Sequence, residues 1–492
     1  MSRMMPVDSV RKAEAGAVAA GTAEFDLMLS AGRQAADIIN HHYPQAIRFL
    51  VFCGGGNNGG DALVAADILF RRYHREVVVY SVKGVDEFTG CAAMAAERLS
   101  RDIGVFSSAM LRKADVLPGD VIVDGLLGIG FKGGALRREV RSMIEIANAV
   151  RNPVVALDLP SGMNGDSGEI SSDGAVNADL TITFGAVKPG LFSTNGSLLR
   201  GNLRLVDIGL PPVDGAGDEV FTNIDAVETL TAAAADCHKN SRGKVLVWGG
   251  SEEYPGAPVL SAMGALYGSA GIVRMVSCGE CRNLAPAAVI VKKIPNGSDV
   301  KSEVSPFFAV SDVLVAGCGW GRETPKEALS AVWEFPGKII LDADALNMFS
   351  CHPELWCKKE NVLITPHPGE AARLAAAFRV EKGDRQQFAG DLAAALGCSV
   401  LLKGRDSVLA DPEGRCLLVA AGNSVLASAG SGDVLTGIIA AQAAKLPLFE
   451  AAALGAYIHG IAGEIAGRDI IADELPELAA RVICMLRGNS VF

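Results

Sequence analysis

Continuous runs of valine, isoleucine and leucine alternate with longer amphipathic stretches through the first half of the chain. The apolar runs predict strands buried on both faces, and the stretches of roughly ten residues or more between them predict helices. This alternation is typical of a parallel sheet covered by helices on both sides, so we predict a doubly wound α/β domain. The predicted strands cover residues 47–52, 76–82, 121–124, 154–158, 180–184 and 203–208, and the predicted helices cover residues 60–73, 89–99 and 136–150.

The pattern is interrupted at residues 211–225, where paired prolines, glycines and acidic residues are typical of an interdomain linker. A second alternation of strands and helices begins at Gly243, with predicted strands at 243–249, 312–316, 338–341, 361–364 and 399–402. A chain of 492 residues also exceeds what one hydrophobic core usually holds. We therefore predict two α/β domains, at residues 1–212 and 225–492, joined by a linker at residues 213–224.

Composition narrows the class of protein. The chain is 49% hydrophobic and 21% charged, which is ordinary for a globular protein. Its formal net charge of −11 argues against a nucleic-acid partner, because such partners select a basic face. No apolar run reaches the roughly 18 residues that span a bilayer, so we expect no membrane partner and a cytoplasmic location. The 11 cysteines lie mostly inside apolar segments, which favours buried thiols in a reducing compartment over a disulfide framework.

A glycine-rich turn, CGGGNNGGDA at residues 53–62, follows the first predicted strand and precedes a predicted helix. The first amides of a helix have no intrahelical partner and the helix dipole is positive there, so this turn predicts a site for a phosphate or diphosphate. The turn is not a Walker A motif, because no Gly-Lys-Ser/Thr follows it. It also lacks the spacing of the GxGxxG dinucleotide motif.

Oxygen-bearing side chains follow three of the predicted strands in this half. Asn58 and Asp61 lie in the glycine turn, Asp124 ends another strand, and Asp158 and Ser161 follow a third. The carboxyl ends of parallel strands form the ligand-binding edge of such a sheet, so these side chains are predicted to converge. Carboxylate, amide and hydroxyl oxygens favour a hard cation, whereas the alternative is that the aspartates only cap turns.

A second glycine-rich turn, SAGSGDVLTG at residues 428–437, precedes a predicted helix near the other end of the chain. Its amides could stabilise a transferring phosphoryl group, and Asp433 could accept the proton of an attacking hydroxyl. The alternative is that Asp433 only complements the helix dipole. Lys403 follows a predicted strand and is the natural phosphate contact, and His367 lies between two prolines in a loop. A carboxylate beside phosphates also leads us to expect Mg²⁺.

The N-terminal motifs GGGNNGGDA, VDGLLGIG, LDLPSGMNGDSG and TITFGAVKPG, preceded by LMLSAG, occur in this order within residues 1–212. This set resembles the epimerase domain of the bifunctional NAD(P)H-hydrate repair enzymes. The resemblance implies a Rossmann-like domain that interconverts the R and S forms of hydrated NADH and NADPH, with K⁺ at the site. It implies cation ligands at Asn58, Asp124 and Ser161, a hydrated ring facing Asp158, and dinucleotide contacts at Asn57, Asn58, Gly59, Gly60, Asp61, Gly128, Ile129, Gly130, Phe131, Lys132, Gly133 and Gly134.

The C-terminal motifs GKVLVWGGS, GAPVLSAMGAL, LDADALN, TPHPGE, LKGRDSV, GSGDVLTG and YIHGIAGE fall within residues 225–492. They resemble the dehydratase domain of the same enzymes, which has a ribokinase-like fold. The resemblance implies phosphorylation of the hydrate hydroxyl and elimination of phosphate, with ADP used by bacterial enzymes and ATP by eukaryotic ones. It implies Asp433 as the base, and hydrated-dinucleotide contacts at Ala257, Gly319, His367 and Asp433. The adenine nucleotide would contact Lys403, Gly404, Arg405, Asp406, Ser407 and Gly432.

The chain departs from these family patterns at two places. Ala62 stands where the epimerase motif usually has a further glycine, and we expect it to narrow the approach of the ligand. Residues 317–321 read GCGWG where the dehydratase domain commonly has GPGLG. We expect Trp320 to add bulk beside the substrate there.

Two other functions compete with the repair enzyme. The second half alone fits a sugar or vitamin kinase with an N-terminal accessory domain, because a fold does not decide a function. The first half could also be a non-catalytic binding module for a nucleotide or protein partner. The kinase hypothesis leaves Asn58, Asp124 and Asp158 unexplained, so we favour the repair enzyme, with an adenine nucleotide and a dinucleotide as its small-molecule partners. We further expect a homo-oligomer and ADP in preference to ATP.

Overall fold

The computed structural model describes residues 1–211, 217–230, 239, 241–295 and 298–488. The chain divides into two compact units, Met1–Ile224 and a second unit that begins at Asp225. Residues 213–216 of the predicted linker lie outside the described residues. The described part of that linker contains a short strand and the start of a helix.

The N-terminal unit contains strands and helices at positions close to those predicted from the hydrophobic pattern. Its strands are β1 (Ser2–Arg3), β2 (Arg48–Cys53), β3 (Glu76–Ser81), β4 (Gly104–Ser107), β5 (Asp120–Gly125), β6 (Val154–Leu157), β7 (Leu180–Phe184), β8 (Asn202–Val206) and β9 (Glu219–Phe221). Its helices are α1 (Val7–Ala19), α2 (Glu24–His42), α3 (Asn57–Arg71), α4 (Gly90–Arg98), α5 (Arg138–Ala149) and α6 (Thr194–Leu199), and α7 (Asn223–Thr229) follows β9.

The main sheet of this unit has seven strands in the order β4-β3-β2-β5-β6-β7-β8, and its neighbours pair in parallel. Alternate residues of β2 enter cores on opposite faces: Phe49 and Val51 belong to one core, and Leu50 and Phe52 to the other. This two-sided burial explains why the strand reads as an uninterrupted apolar run. The strand order reverses between β2 and β5, so the loops that follow these strands form the crevice where a doubly wound sheet binds ligands.

The C-terminal unit repeats the alternation of strands and helices. Its strands are β10 (Lys244–Trp248), β11 (Ile272–Ser277), β12 (Ile290–Lys293), β13 (Val313–Ala316), β14 (Lys338–Leu341), β15 (Val362–Ile364), β16 (Ser399–Leu402), β17 (Val408–Ala410) and β18 (Cys416–Val419). Its helices are α8 (Ala257–Tyr267), α9 (Val300–Val304), α10 (Glu327–Val332), α11 (Ala343–Cys351), α12 (Pro368–Phe378), α13 (Arg385–Leu396), α14 (Ser431–Ala443), α15 (Leu448–Ala466) and α16 (Leu475–Arg487).

The strands of this unit follow the order β18-β17-β16-β15-β14-β13-β10-β11-β12. Pairing is parallel from β16 to β12 and antiparallel between β16, β17 and β18. Helix α14 packs closely on α8, because Gly437 leaves room for the backbone oxygen of Ser261, with which a Cβ would overlap. This contact fixes the N-terminus of α14 near the carboxyl ends of the parallel strands. Within the described ranges, none of the helices combines the length and apolarity needed to cross a bilayer.

Candidate active sites

A cavity of about 1160 Å³ opens at the switch point of the N-terminal sheet. Helices α1 and α2, the glycine turn after β2 and the loop after β5 contribute to its walls. The predicted substrate contacts that line it are Asn57, Asn58, Asp61, Gly128, Ile129, Gly130, Phe131, Lys132, Gly133 and Asp158. Three predicted contacts, Gly59, Gly60 and Gly134, are not part of the lining. Gly59 and Gly60 instead allow close packing, since a Cβ at either position would overlap with the Gly54 backbone or with Met28.

Asp124 and Ser161 form a buried pair at the carboxyl ends of β5 and β6. The Ser161 hydroxyl donates to Asp124 Oδ1 at 2.6 Å, and the Ser161 backbone N–H donates to Asp124 Oδ2 at 2.9 Å. Burial raises the pKa of Asp124 to about 6, although the hydrogen bonds from Ser161 and Leu126 act in the opposite direction. A cation bound nearby would therefore stabilise the charged form of this carboxylate.

Asn58 lies at the first turn of α3 with a side chain that is almost fully buried. Neither its amide nitrogen nor its amide oxygen has a hydrogen-bond partner within the part of the chain that the structure describes. A Cβ built on Gly128 would lie 3.3 Å from Asn58 Cγ and 2.9 Å from Asp158 Oδ2, so Asn58 and Asp158 flank the same stretch of backbone. A buried amide without partners is costly, which is the signature expected of a group that binds a ligand.

Asp158 has a backbone φ of 65°, a left-handed conformation that residues with a side chain rarely adopt. Its carboxylate receives a hydrogen bond from Lys188 Nζ at 2.5 Å and one from the backbone N–H of Ile129 at 3.1 Å. Lys188 is 1% exposed and also donates to Thr183 Oγ1 and to the Phe184 carbonyl. The two buried charges therefore neutralise each other at the wall of the cavity.

Four further carboxyl groups border this cavity, and two of them, Asp61 and Glu14, have raised pKa values. Burial raises the pKa of Asp61 well above its usual value, and the charge of Asp158 adds to the shift. Burial and Asp158 likewise raise the pKa of Glu14, which lies on α1. The cavity thus combines one ion pair with two carboxyl groups that hold protons more readily than usual.

The second site surrounds the N-terminus of α14. Gly430 precedes the helix with φ 88°, a conformation that glycine adopts without strain, and Asp433 lies in the first turn. Burial and then the charge of Asp342 raise the pKa of Asp433 to about 7, while Cys318 and Lys403 lower it. A carboxylate with a pKa near neutrality is suited to accept a proton at physiological pH.

Lys403 is held beside this helix by carboxylates of other elements. Its Nζ lies 2.8 Å from Asp342 Oδ1 and 4.0 Å from Glu370 Oε2. Burial, with Asp342, raises the pKa of Glu370 to about 7. A Cβ built on Gly432 would lie 3.2 Å from Lys403 Nζ, so the ammonium group borders the first turn of α14.

The remaining predicted contacts lie at the starts of helices and in loops. His367 caps α12 by accepting a hydrogen bond from the Gly369 N–H at 3.0 Å, and burial, with Lys403, lowers its pKa. Ala257 begins α8 and faces Gly319, where a Cβ would lie 2.8 Å from that of Ala257. The predicted nucleotide contacts after β16 are the partly buried Lys403, Arg405 and Ser407, the exposed Gly404 and the buried Asp406.

Both family departures were misjudged from sequence. Ala62 is fully buried against Gly125 and is not part of the cavity wall, so it does not narrow the ligand site. Trp320 is 2% exposed, packs against Trp248 in a tilted arrangement with ring centroids 5.0 Å apart, and donates its ring N–H to the Trp248 carbonyl. It therefore packs into the interior instead of adding bulk beside the substrate, because the hydrogen bond and the aromatic partner are both inside.

Sequence reasoning also gave no role to Lys188, Glu14 or Cys318. Lys188 lies in the motif TITFGAVKPG, and the available signal was a lysine that closely follows a strand of apolar and β-branched residues. Glu14 belongs to an amphipathic helix, where nothing in the pattern distinguishes a cavity residue from a solvent-exposed one. At Cys318, the only signal in the sequence was the absence of the proline that the family pattern commonly has.

Comparison with known proteins identifies the chain. A family model described as NAD(P)H-hydrate dehydratase matches residues 245–484, and one described as YjeF-related protein N-terminus matches residues 24–190. The bifunctional NAD(P)H-hydrate repair enzyme Nnr of Escherichia coli is 34% identical over 97% of this chain and 93% of its own length. That of Moorella thermoacetica is 35% identical over 90% of this chain and 88% of its own. The chain belongs to the bifunctional NAD(P)H-hydrate repair enzyme family.

Solved structures also resemble part of this chain. An ADP/ATP-dependent NAD(P)H-hydrate dehydratase of Bacillus subtilis, co-crystallised with ATP and Mg²⁺, is 26% identical and covers 55% of this chain, with a TM-score of 0.46. A ribokinase-like superfamily protein of Enterococcus faecalis is 22% identical and covers 57%, with a TM-score of 0.47. The predicted family, the α/β fold class and the pairing of an epimerase with a dehydratase on one chain are confirmed.

Proposed function

We propose that this chain repairs hydrated NADH and NADPH in two steps. The N-terminal unit interconverts the R and S epimers, and the C-terminal unit dehydrates the S epimer at the expense of ADP, releasing AMP and phosphate. The observation that carries the proposal is Asp433, a carboxylate with a pKa of about 7 at the first turn of a glycine-preceded helix, beside Lys403. It combines a proton acceptor, an anion site and a cation in one place.

In the N-terminal unit, we assign proton transfer during epimerisation to Asp158. Inversion at the hydroxylated carbon requires either its C–O bond or the ring C–N bond to break and re-form, and each route moves one proton off and back onto the substrate. Asp158 borders the cavity and contacts Lys188 Nζ, which supports this role. The amides at the start of α3 would bind the diphosphate of the coenzyme.

The donor set of Asn58, Asp124 and Ser161 fits K⁺, because all three offer oxygen ligands and the Asn58 amide oxygen has no other partner in the described structure. When bound, K⁺ would supply positive charge near the substrate diphosphate and compensate the buried Asp124 carboxylate. These three residues would hold it at the carboxyl edge of the sheet. Binding of K⁺ by these three residues is part of the proposal.

In the C-terminal unit, Asp433 would accept the proton of the substrate hydroxyl as that oxygen attacks the terminal phosphorus of ADP. The new P–O bond forms as the bond to AMP breaks, and Lys403 would neutralise the charge on the phosphoryl oxygens. Phosphate then leaves with the C–O electron pair, and loss of a proton from the neighbouring carbon restores the double bond. Hydroxide is a poor leaving group and phosphate is a good one, which explains why a nucleotide is consumed.

Mg²⁺ is expected on the nucleotide phosphates. Asp342 is already paired with Lys403, and the thiol of Cys318 is a poor ligand for a hard cation. When bound, Mg²⁺ would neutralise phosphate charge during transfer. The preference for ADP over ATP, the cytoplasmic location and the homo-oligomeric state are further predictions that we retain from the sequence.

One assay tests the whole proposal. Purified protein would be mixed with both epimers of hydrated NADH, Mg²⁺ and K⁺, and the absorbance of regenerated NADH followed after addition of ADP or ATP. We expect full conversion with ADP. Conversion of only the S portion would contradict the epimerase assignment, and absence of NADH with either nucleotide would contradict the dehydratase assignment. A kinase with an accessory domain would phosphorylate a sugar or vitamin and leave both epimers unchanged.

A further inference from the structure

Lys83 lines the cavity of the N-terminal unit just after β3, and it takes no part in the proton transfer or cation binding assigned to that unit. Its stem lies against the glycine turn, because a Cβ built on Gly55 would be 3.1 Å from Lys83 Cε and 3.6 Å from its Nζ. Nζ donates to the Glu87 carbonyl at 2.9 Å and lies 4.8 Å from the centre of the Phe88 ring. These contacts hold the ammonium group at the cavity wall.

The charge of Lys83 is available to a ligand. Within the part of the chain that the structure describes, its Nζ forms no ion pair with a carboxylate. The acidic residues of the same loop, Asp86 and Glu87, are exposed and do not line the cavity. The Glu87 carboxylate instead accepts a hydrogen bond from the Gly84 N–H at 3.2 Å. A lysine in this setting can form charge-assisted hydrogen bonds to an anionic group of the substrate.

The position of Lys83 separates it from the other cations of the cavity. Four of these contribute to the lining: Arg11, Lys132, Arg137 and Lys188. They lie on α1 or follow β5 or β7, whereas Lys83 follows β3. Lys83 is therefore the lining cation on the β3 side of the glycine turn.

The strand order places this side of the cavity opposite Asp158. The strands β3, β2, β5 and β6 are successive neighbours, and at about 4.8 Å for each step the ends of β3 and β6 lie about 14 Å apart. The hydrated ring is assigned to Asp158 after β6, and the diphosphate to the start of α3 after β2. A dinucleotide that makes both contacts therefore extends its adenosine half toward β3.

General rules for dinucleotide sites indicate what a cation does there. In doubly wound sheets, an acidic residue beyond the glycine-turn helix binds the 2′-hydroxyl of the adenosine ribose, and a basic residue accommodates a 2′-phosphate. Lys83 follows the strand that comes after this helix, and it is basic. Its charge therefore matches the group that distinguishes NADPH from NADH.

We propose that Lys83 is a specificity-determining residue: its ammonium group binds the 2′-phosphate of hydrated NADPH, so the N-terminal unit acts on hydrated NADPH in preference to hydrated NADH. This inference rests on the proposed epimerase function of that unit. The competing role for Lys83 is binding of the diphosphate. Both coenzymes carry the diphosphate, so that role would give no preference between them.

The test compares kcat/KM for epimer exchange of the two hydrates by the full chain, with the epimers separated by chromatography. Lys83→Met retains the stem and removes the charge, and it should lower the ratio of kcat/KM for hydrated NADPH to that for hydrated NADH about tenfold. Lys83→Arg should preserve most of the ratio, and Lys83→Glu should lower it further than Lys83→Met. Lys12→Gln is the matched control, since it removes one positive charge from an exposed position of α1 outside the cavity lining.

An equal loss for both hydrates in Lys83→Met would assign the ammonium group to the diphosphate and would overturn the proposal. A ratio that stays unchanged in Lys83→Met and Lys83→Glu would overturn it as well. Absence of epimer exchange in the unsubstituted protein contradicts the epimerase function itself, whereas exchange with an unchanged ratio in the variants contradicts only the role of Lys83.

A measurement on the unsubstituted protein gives a second readout that does not depend on the folding of a variant. Adenosine 2′,5′-bisphosphate and AMP differ only in the 2′-phosphate, and both are tested as inhibitors of epimer exchange. We expect the bisphosphate to inhibit at an about tenfold lower concentration, with an advantage that decreases as salt is added because Lys83 is partly exposed. Equal inhibition by the two compounds would overturn the proposal.

Discussion

The two glycine turns of this protein use similar residues and create different electrostatic environments. At the first, the candidate catalytic carboxylate Asp158 is paired directly with a buried lysine, Lys188, at 2.5 Å. At the second, the lysine Lys403 is paired with a neighbouring carboxylate, and Asp433 keeps a pKa of about 7. The comparison shows that a lysine near an aspartate does not define the aspartate's role; the role depends on which carboxylate the lysine contacts.

The largest expected effect comes from the second turn. Asp433→Asn should lower the rate of dehydration by about 10² to 10⁴, because an amide cannot accept the substrate proton. Epimer exchange should be unchanged. The measurement is regeneration of NADH from the pure S hydrate, with exchange between epimers followed separately. Loss of both activities would indicate a folding defect and would remove the contrast between the sites.

The ion pair of the first turn should matter for stability as well as for catalysis. Lys188→Met leaves Asp158 buried without its partner, and we expect a loss of about 3 kcal/mol or more in the free energy of unfolding of the N-terminal unit, together with loss of epimer exchange. Urea denaturation measures the first effect. Lys188→Met combined with Asp158→Asn should recover much of the stability but not the activity; a double variant as unstable as the single one would contradict the pairing argument.

Removal of K⁺ should affect the two activities differently, and its effect should be smaller than those of the preceding substitutions. Because Asn58 and Asp124 belong to the first site alone, replacing K⁺ by choline should slow epimer exchange and leave dehydration of the S epimer unaffected. K⁺ at a hundred times its Kd should add about 2.7 kcal/mol to the stability of the N-terminal unit. This gain is measured as the increase in melting temperature on addition of K⁺, and Asn58→Ala should abolish that increase. A shift that persists in this variant would place the ion elsewhere.

Asp342 places a second negative charge next to Asp433, and removing this charge should shift the pH dependence of dehydration by a modest amount. Asp342 raises the pKa of Asp433, so Asp342→Asn should lower that pKa. The base is active when deprotonated, and the acidic limb of the dehydration profile should therefore move to lower pH, by about one unit. The readout is the pH at which the acidic limb lies. The maximal rate is not a suitable readout, because Asp342→Asn also removes the partner of Lys403. A limb that moves upward would mean that Asp342 acts mainly through Lys403.

The smallest effect on catalysis is expected at Trp320. Its ring packs on Trp248 and its N–H bonds to a backbone carbonyl, so Trp320→Leu should change KM and kcat by less than about twofold while lowering the urea midpoint. Steady-state kinetics with the S hydrate provides the test. A large decrease in KM would show that the indole does border the substrate.

Much of this architecture follows from local patterns. The strands β2, β5 and β7 were predicted to within one residue at either end, since strands buried on both faces consist mainly of apolar and β-branched residues. The glycine turns were identified because helix starts with several glycines expose backbone amides. The proximity of Lys188 to Asp158 and of Cys318 to Asp433 was missed, since 29 positions separate the first pair along the chain and the second pair comes together only when α14 packs beside β13.

The sequence by itself determined the two α/β units, the glycine-rich turns after their strands and the family to which the chain belongs, because hydrophobic period and turn chemistry are local properties. Only the tertiary structure decided which lysine neutralises which carboxylate, that Asn58 is left without a partner in the described residues, and that Cys318 instead of Trp320 faces the base. These features depend on strand order and on the direction in which loop side chains pack. Both are fixed by contacts between distant segments, which no local pattern encodes.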